Sequence, residues 1–216
     1  MTPTDLSTIF PTPPPSRLGE PAWNVALLFP SQGDWTEEEY LALETNHLIE
    51  LSDGWLEVLP MPTLLHQLIV RYLFQLLDAF VKAQTTGEVL FAALPVRLWP
   101  GKMREPDVLY LRPKRLRNLK KPPQGADLVM EVVSGSPDDR KRDLVIKRKE
   151  YAKAGIAEYW IVDPDERTVT VLTLGKKTYR VHGVFGPGST ATSVLLPGFA
   201  VDVTATFAAG EGQDNG

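Results

Sequence analysis

Two segments of the chain carry apolar residues every three or four positions, which is the spacing of amphipathic helices. The first spans residues 64–84, and the second spans residues 138–154 and is ended by Gly155. A shorter helix begins at Thr36, because Thr36 and Glu39 have the spacing of a capping box. The pattern therefore predicts two long helices and one short helix.

Other segments have the alternating or continuous apolar residues of β-strands. HLIELSDGWLEVLP is typical of a hairpin with Ser52-Asp53-Gly54 as its turn, and DLVMEVV and EYWIVD are typical of central strands covered on both faces. Further strands are expected in VLFAALPVRLW, in PDVLYLR, in a hairpin of TVTVLTL and TYRVHGVF around Gly175, and near FAVDV. This order predicts an α/β fold, with a mixed β-sheet flanked by helices, an N-terminal hairpin and a C-terminal β-hairpin.

The length of 216 residues suits one domain. No linker rich in Gly, Ser or Pro interrupts residues 23–208, which we expect to form that domain. Residues 1–22 hold six of the 19 prolines and predict an N-terminal arm, whereas residues 209–216 predict a polar tail.

Composition excludes several kinds of site. The chain contains no cysteine, so disulfides, zinc–thiolate sites, iron–sulfur clusters and cysteine nucleophiles are excluded. No apolar run approaches the roughly 20 residues of a membrane span, and the N-terminus lacks the basic and apolar regions of a signal peptide. We therefore expect a soluble cytoplasmic protein that does not bind a membrane.

Positive charge is concentrated in the middle of an otherwise acidic chain. Residues 112–153 contain 13 Lys and Arg against six Asp and Glu, although the whole chain has a net charge of −4. Such a segment suits a polyanionic partner, and the alternative is an ordinary solvated face. We expect residues 112–121, with six basic residues in ten, to form an exposed and mobile loop that contacts phosphates. The candidate contacts are Lys114, Arg115, Arg117, Lys120 and Lys121.

Two carboxylates lie at positions where their neighbours are apolar. Glu131 is the only charged residue within residues 128–133, and a buried carboxylate is costly unless it is paired with a cation. Asp107 lies at the start of PDVLYLR, where an exposed strand-end residue is the simplest interpretation. If these strands are neighbours, the two carboxylates repel each other unless a cation lies between them.

The second long helix offers a basic partner. At about 100° per residue, Lys147 falls on the inward stripe with Leu144 and Tyr151. A lysine lying along apolar surface, or an ordinary helix salt bridge with Asp143, would explain the same position. Glu50 lies between apolar residues just before the hairpin turn, and alternation favours the exposed face of the hairpin for it.

The three histidines show no metal-ligand spacing. For His66, at the start of the first long helix, a capping role and a place beside a functional site both stay open.

Several of these segments occur together, and in order, in one protein family. They are IELSDGWLEVLP, His66, EPDVLYLRP, DLVMEVVS, the set Asp143, Lys147 and Tyr151 spaced by four, YAKAGIAEYWIVDP, and LLPGF. Over residues 40–207 the chain resembles the Uma-two family of restriction-endonuclease-like proteins, within the PD-(D/E)XK nuclease superfamily.

The resemblance implies a metal-dependent endonuclease that hydrolyses DNA phosphodiester bonds with Mg²⁺ or Mn²⁺. It implies that Asp107 and Glu131 are the two signature acids and metal ligands, and that the Val132 carbonyl is a backbone ligand. Such hard oxygen donors suit Mg²⁺ or Mn²⁺. Glu50 matches the upstream acidic position, as a catalytic residue and a further candidate ligand.

Two departures from the family pattern are visible. The superfamily lysine would follow Glu131 by two residues, but Val133 is there, and Lys147 matches a lysine displaced to the next helix. After the glutamate strand the family reads Ser-Pro-Ser, whereas this chain reads Ser134-Gly135-Ser136-Pro137.

Two other interpretations stay open. The fold could carry a non-catalytic module that binds nucleic acid or protein, or Glu131 and Lys147 could form a purely structural ion pair. We expect DNA as the partner, and two cuts in a duplex would suit a symmetric homodimer.

Overall fold

A computed structural model describes residues 29–44, 47–134 and 136–211. The helices are α1 (Glu37–Leu41), α2 (Leu64–Gln84), α3 (Pro137–Lys141), α4 (Arg148–Lys153) and α5 (Val203–Glu211), with a π-helical segment (Arg142–Lys147) between α3 and α4 and a 3₁₀ turn at Pro113–Arg115. The strands are β1 (Ile49–Ser52), β2 (Trp55–Val58), β3 (Glu88–Phe91), β4 (Val96–Trp99), β5 (Lys102–Arg104), β6 (Val108–Leu111), β7 (Leu128–Val132), β8 (Glu158–Asp163), β9 (Thr168–Leu174), β10 (Tyr179–Phe185), β11 (Thr190–Thr192) and β12 (Ala200–Asp202). The predicted arm 1–22 and residues 212–216 of the predicted tail lie outside the described residues.

A six-stranded mixed sheet lies between two helical layers. Its order is β10-β9-β8-β7-β6-β3, with β7 and β8 parallel and every other neighbouring pair antiparallel. One face packs against α2 and α5, and the other packs against the helical residues 137–153. The expected mixed sheet flanked by helices is therefore confirmed.

The two ends of this sheet matter for the function. At the Asp107 end, β6 begins and both β7 and β8 end. At the Asp127 end, β6 ends and β7 begins. At about 3.3 Å per residue, the five residues from Asp107 to Arg112 separate the two ends by about 16 Å.

The elements with the strongest periodicity lie where the sequence places them. The capping box at Thr36 is present, and α2 begins and ends at the predicted residues. The hairpin turn at Asp53-Gly54 joins β1 to β2, as predicted. Strands β7 and β8 are buried along their whole length, because helices cover both faces of the sheet.

Three features differ from the sequence prediction. The N-terminal hairpin belongs to a second sheet, ordered β2-β1-β5-β4, and its strand β5 is only three residues long, too short for a visible pattern. The segment VLFAALPVRLW divides between the two sheets as β3 and β4.

The third difference is α5, which follows β12 directly and continues through residues 209–211 of the predicted tail. The Asp202 carboxylate caps its first turn by accepting a hydrogen bond from the Ala205 amide at 2.7 Å.

Helix α2 also bears on the membrane prediction. It has 21 residues, and an 18-residue stretch of it has a mean hydropathy of 1.3, so it is long and apolar enough to cross a bilayer by those two criteria alone. Its buried residues Ile69, Leu73, Leu77 and Val81 belong to the core against the sheet, and core helices of soluble proteins meet the same criteria. The cytoplasmic location stays a prediction.

Candidate functional site

Glu131 lies on β7, on the sheet face that packs against the helical residues 137–153. Strand alternation places Val129 and Glu131 on this face and Met130 on the opposite one. The Glu131 side chain is buried, and its Oε1 accepts a hydrogen bond of 2.5 Å from the Tyr151 hydroxyl. Burial disfavours the charged form of this carboxyl group, and the charged groups around it add to or oppose that effect.

Lys147 reaches this carboxylate from the helical layer. Its Nζ lies 3.0 Å from Glu131 Oε2, 3.4 Å from Asp143 Oδ1 and 3.7 Å from Glu50 Oε1, and only 3% of the residue is exposed. The inward position of Lys147 agrees with the helical projection. The pairing with Asp143 is present too, but it is buried and is not the ordinary surface salt bridge.

The π-helical segment explains how one helix brings two charged residues to the same place. A π-helical turn contains more residues than an α-helical turn, so positions four apart lie more nearly on one side. Asp143 and Lys147 are both buried, whereas Val145 and Ile146 point outward and are exposed. The widened turn therefore accounts for the apolar residues that do not fit the regular helical stripe.

Asp107 lies next to Glu131, at the end of the sheet where β6 begins and β7 ends. It precedes β6 by one residue, and Val108 pairs with Met130 on β7, so Asp107 is level with Glu131 on the neighbouring strand. Its Oδ2 accepts a hydrogen bond of 2.7 Å from the Val132 amide. Asp107 is half-buried, so the interpretation that it is an exposed strand-end residue is wrong.

Glu50 is completely buried, so the interpretation that it lies on the exposed face of the hairpin is wrong. Its Oε1 accepts a hydrogen bond of 2.9 Å from the Glu105 amide, and its Oε2 accepts one of 2.6 Å from Arg104 Nη1. The pairing of β1 with β5 places Arg104 beside Glu50, and Lys147 approaches Glu50 from the helical layer. Strand β5 could not be recognised in the sequence.

Arg104 forms a second charged network beside the first. It bonds Glu57 at 2.5 Å and Glu150 at 2.7 Å in addition to Glu50, and Lys102 Nζ lies 2.7 Å from Glu150. These contacts join the small sheet to α4. The same arginine thereby fixes the orientation of Glu50 toward Lys147.

His66 contacts Asp107 from the first turn of α2. Its Nε2 lies 3.2 Å from Asp107 Oδ2, and its backbone amide is capped by Thr63 Oγ1 at 3.2 Å. Thr63 rather than His66 is therefore the capping residue, and the ring of His66 lies beside the site. Burial alone would lower the pKa of His66, but the hydrogen bond and charge of Asp107 outweigh it and raise the pKa.

We call the carboxylates of Glu50, Asp107, Glu131 and Asp143 the acid cluster. All but Asp107 lie within 4 Å of Lys147 Nζ, and Asp107 lies beside Glu131 on the neighbouring strand. Burial raises the pKa of Glu131 to about 8, because the opposing charge of Lys147 is partly offset by Asp107 and Asp143. Burial would lower the pKa of Lys147, but the surrounding acids raise it well above its usual value. Lys147 therefore stays charged among these acids.

The donors of this cluster fit a divalent cation by their chemistry. Asp107, Glu131 and Val132 line one pocket of about 40 Å³ with His66 and Lys147, and carboxylate and carbonyl oxygens are donors that Mg²⁺ and Mn²⁺ prefer. Asp143 also lines this pocket; its buried Oδ1 makes no hydrogen bond but lies 3.4 Å from Lys147 Nζ and 3.6 Å from Arg142 Nε.

The arrangement of the side chains is nevertheless that of an ion-paired cluster. Within residues 29–44, 47–134 and 136–211, no group of three or more His, Asp and Glu side chains is arranged to hold a metal ion. Lys147 is the reason, because its ammonium group lies among the carboxylates and takes the place of a cation.

A larger cleft adjoins the pocket. Its volume is about 320 Å³, and His66, Pro60 and Ser134 line both spaces. Asp139 and Asp165 lie on its far side. The small pocket has room for a few atoms only, so a substrate larger than that would have to lie in this cleft.

The basic loop 112–121 lies at the other end of the sheet. Asp127 anchors it by accepting hydrogen bonds of 2.9 Å from the Arg112 amide and from Arg115 Nε. Most of the loop is exposed, as predicted, but Arg115 is half-buried because of these contacts. The structure does not bring the predicted phosphate contacts together with the acid cluster; these contacts are Lys114, Arg115, Arg117, Lys120 and Lys121. The mobility of the loop stays a prediction.

Some residues of the site could not be assigned from spacing alone. Arg104 lies in a three-residue strand without a pattern, and Tyr151 had only its place on the inward helical stripe. His66 had only its position at a helix start. What connects them is strand pairing and layer packing between residues far apart in the sequence.

Comparisons with known proteins agree with this fold. The family model Uma2, described as "Putative restriction endonuclease", matches residues 37–204. A crystal structure described as "a putative nuclease belonging to DUF820" from Anabaena variabilis superposes with a TM-score of 0.67 and 22% sequence identity, covering 82% of this chain and 99% of that chain. No curated protein matches the sequence.

The structural neighbour is too distant in sequence to indicate more than a shared fold. The family match, by contrast, extends from α1 to α5 and includes every member of the acid cluster. This chain therefore belongs to the Uma2 family of restriction-endonuclease-like proteins.

Proposed function

We propose that this protein is a metal-dependent endonuclease that hydrolyses phosphodiester bonds in DNA. The acid cluster supports this proposal most directly, because it combines carboxylates on neighbouring strands with an ammonium group 3.0 Å from Glu131. A structural ion pair alone would need one acid and one base, whereas Lys147 has three carboxylates within 4 Å.

Asp107, Glu131 and the Val132 carbonyl would hold Mg²⁺ or Mn²⁺. When bound, such a cation polarises a phosphodiester and acidifies a water molecule. Lys147 would stabilise negative charge that develops on the phosphate. Both oxygens of Glu50 already accept hydrogen bonds, so its proposed role is to orient Lys147 rather than to bind the cation.

The basic loop would contact the DNA backbone away from the cleavage site. At about 3.4 Å per base pair, the distance of about 16 Å between the two ends of the sheet corresponds to about five base pairs. Such contacts would position the duplex without selecting its sequence. The symmetric dimer expected from two cuts stays a prediction.

One observation favours the competing function of a non-catalytic binding module. Lys147 pairs with the proposed ligand Glu131 at 3.0 Å, and the cleft beside the pocket carries the acidic residues Asp139 and Asp165. A module of this kind would bind nucleic acid through its basic loop and cleave nothing.

A cleavage assay separates the two functions. We expect the protein to cut supercoiled or linear DNA in Mn²⁺ or Mg²⁺ and to be inactive in EDTA. Glu131→Ala should remove the activity, because it removes both a proposed ligand and the partner of Lys147. DNA that stays intact with both ions, while the protein still binds it, would support the binding module instead.

The basic loop makes a separate prediction about binding. Reversing Arg115, Arg117 and Lys120 to Glu should weaken DNA binding and flatten the dependence of the association constant on salt, because fewer counterions are released. Fluorescence anisotropy at several salt concentrations measures both.

A matched control changes the net charge equally on the turn between β9 and β10 and at the start of β10. It reverses the exposed residues Lys176, Lys177 and Arg180. A salt slope that changes with this control, and not with the loop variant, would place the binding surface elsewhere.

A further inference from the structure

His66 occupies the boundary between the small pocket and the larger cleft. It lines both spaces, and among the residues that they share it is the one with a titratable side chain. The ring is mostly enclosed, with 12% of the side chain exposed. Its position therefore combines contact with the acid cluster and proximity to the space available for a substrate.

The two ring nitrogens have different surroundings. Nε2 lies 3.2 Å from Asp107 Oδ2, whereas Nδ1 is buried and has no hydrogen-bond partner among the described residues. A histidine that served only to begin α2 would need no ring contact with Asp107, because Thr63 already caps the His66 amide.

Two donors converge on a single oxygen of Asp107. The Val132 amide and His66 Nε2 both contact Oδ2, at 2.7 Å and 3.2 Å. These contacts fix the plane of the carboxylate and leave Oδ1 as the oxygen available for a cation. Partners that orient a ligand in this way commonly change metal affinity or activity by 10–100-fold when they are removed.

We propose that His66 is a positioning residue of this site, which orients the Asp107 carboxylate for a divalent cation through Nε2. The inference rests on the proposed nuclease function, because the cation would serve that reaction. What it predicts directly is an effect of His66 on the affinity for the cation. His66 acts from α2, which packs on the face of the sheet opposite to the helical segment that carries Lys147.

Three variants of the full-length chain test this assignment by calorimetric titration with Mn²⁺. His66→Phe keeps a planar ring without a donor and should weaken Mn²⁺ binding by about 10–100-fold. His66→Gln places an amide nitrogen close to the position of Nε2 and should restore binding to within a few-fold. His66→Asn places its amide nitrogen near Nδ1 instead and should not restore binding.

Cleavage kinetics and thermal unfolding complete the test. We expect His66→Phe to lower kcat at saturating DNA with little change in KM, and His66→Gln to recover kcat. Wild-type Mn²⁺ affinity in His66→Phe would overturn the inference. Equal Mn²⁺ affinities of His66→Gln and His66→Asn would overturn it as well. If the wild-type protein binds no Mn²⁺, the inference fails as well.

The outcome is distinguishable from failure of the proposed function. A wild-type protein that binds Mn²⁺ but cuts no DNA would contradict the nuclease proposal, while the order of Mn²⁺ affinities among the three variants would still decide the role of His66.

Discussion

Replacing Lys147 with alanine is expected to abolish cleavage and leave Mn²⁺ binding in place, whereas Asp107→Ala is expected to abolish both. Lys147 would act on the phosphate but not on the cation, so the rate should fall by about 100-fold or more while the carboxylates remain. Asp107 is a proposed ligand, and its loss removes the cation together with the chemistry. Calorimetric titration with Mn²⁺ and a cleavage assay measure the two effects.

The burial of Lys147 requires controls for folding. Removing one partner of a buried ion pair commonly costs about 3–5 kcal/mol, so Lys147→Ala should also unfold at a lower temperature. Lys149→Ala and Asp138→Ala are matched controls, because both residues are exposed on the same helical segment. Substantial cleavage by folded Lys147→Ala would contradict the catalytic role of Lys147. Wild-type Mn²⁺ binding by Asp107→Ala would contradict the role of Asp107 as a metal ligand.

Replacing Glu131 with glutamine is expected to make stability less dependent on pH. In the folded protein the pKa of Glu131 is raised to about 8, from a usual value of 4.5, because the carboxyl group is buried. Between these values the folded state holds a proton that the unfolded state has released. The free energy of unfolding therefore falls as pH rises through this window, by up to about 1.4 kcal/mol per pH unit for one proton.

Urea unfolding from pH 5 to pH 8 in EDTA measures this effect. The stability of Glu131→Gln relative to wild type should improve steadily with pH, since glutamine cannot ionise. Glu166→Gln changes the net charge equally at an exposed position and serves as the control. Parallel stability curves for wild type and Glu131→Gln would show that Glu131 is ionised throughout the window, as in a stable ion pair with Lys147.

The sequence by itself determined the elements whose signal is local. Apolar spacing and capping residues located α2 to the residue, and the continuous apolar runs identified β7 and β8, because helical and strand periodicity are read over a few consecutive positions. The same local pattern marked Glu131 as an unusual charge, and the helical projection placed Lys147 inward. Short elements such as β5 fell below the length at which a pattern can be recognised.

Only the tertiary structure decided which of the candidate residues meet. The pairing of β1 with β5 buries Glu50 against Arg104, 54 positions away in the chain, although alternation within the hairpin favoured an exposed side chain. The packing of α2 brings His66 to Asp107, and the direction of β6 separates Asp107 from the basic loop. Such contacts depend on strand order and layer packing, which are set by the free energy of the whole fold and leave no trace in the spacing of neighbouring residues.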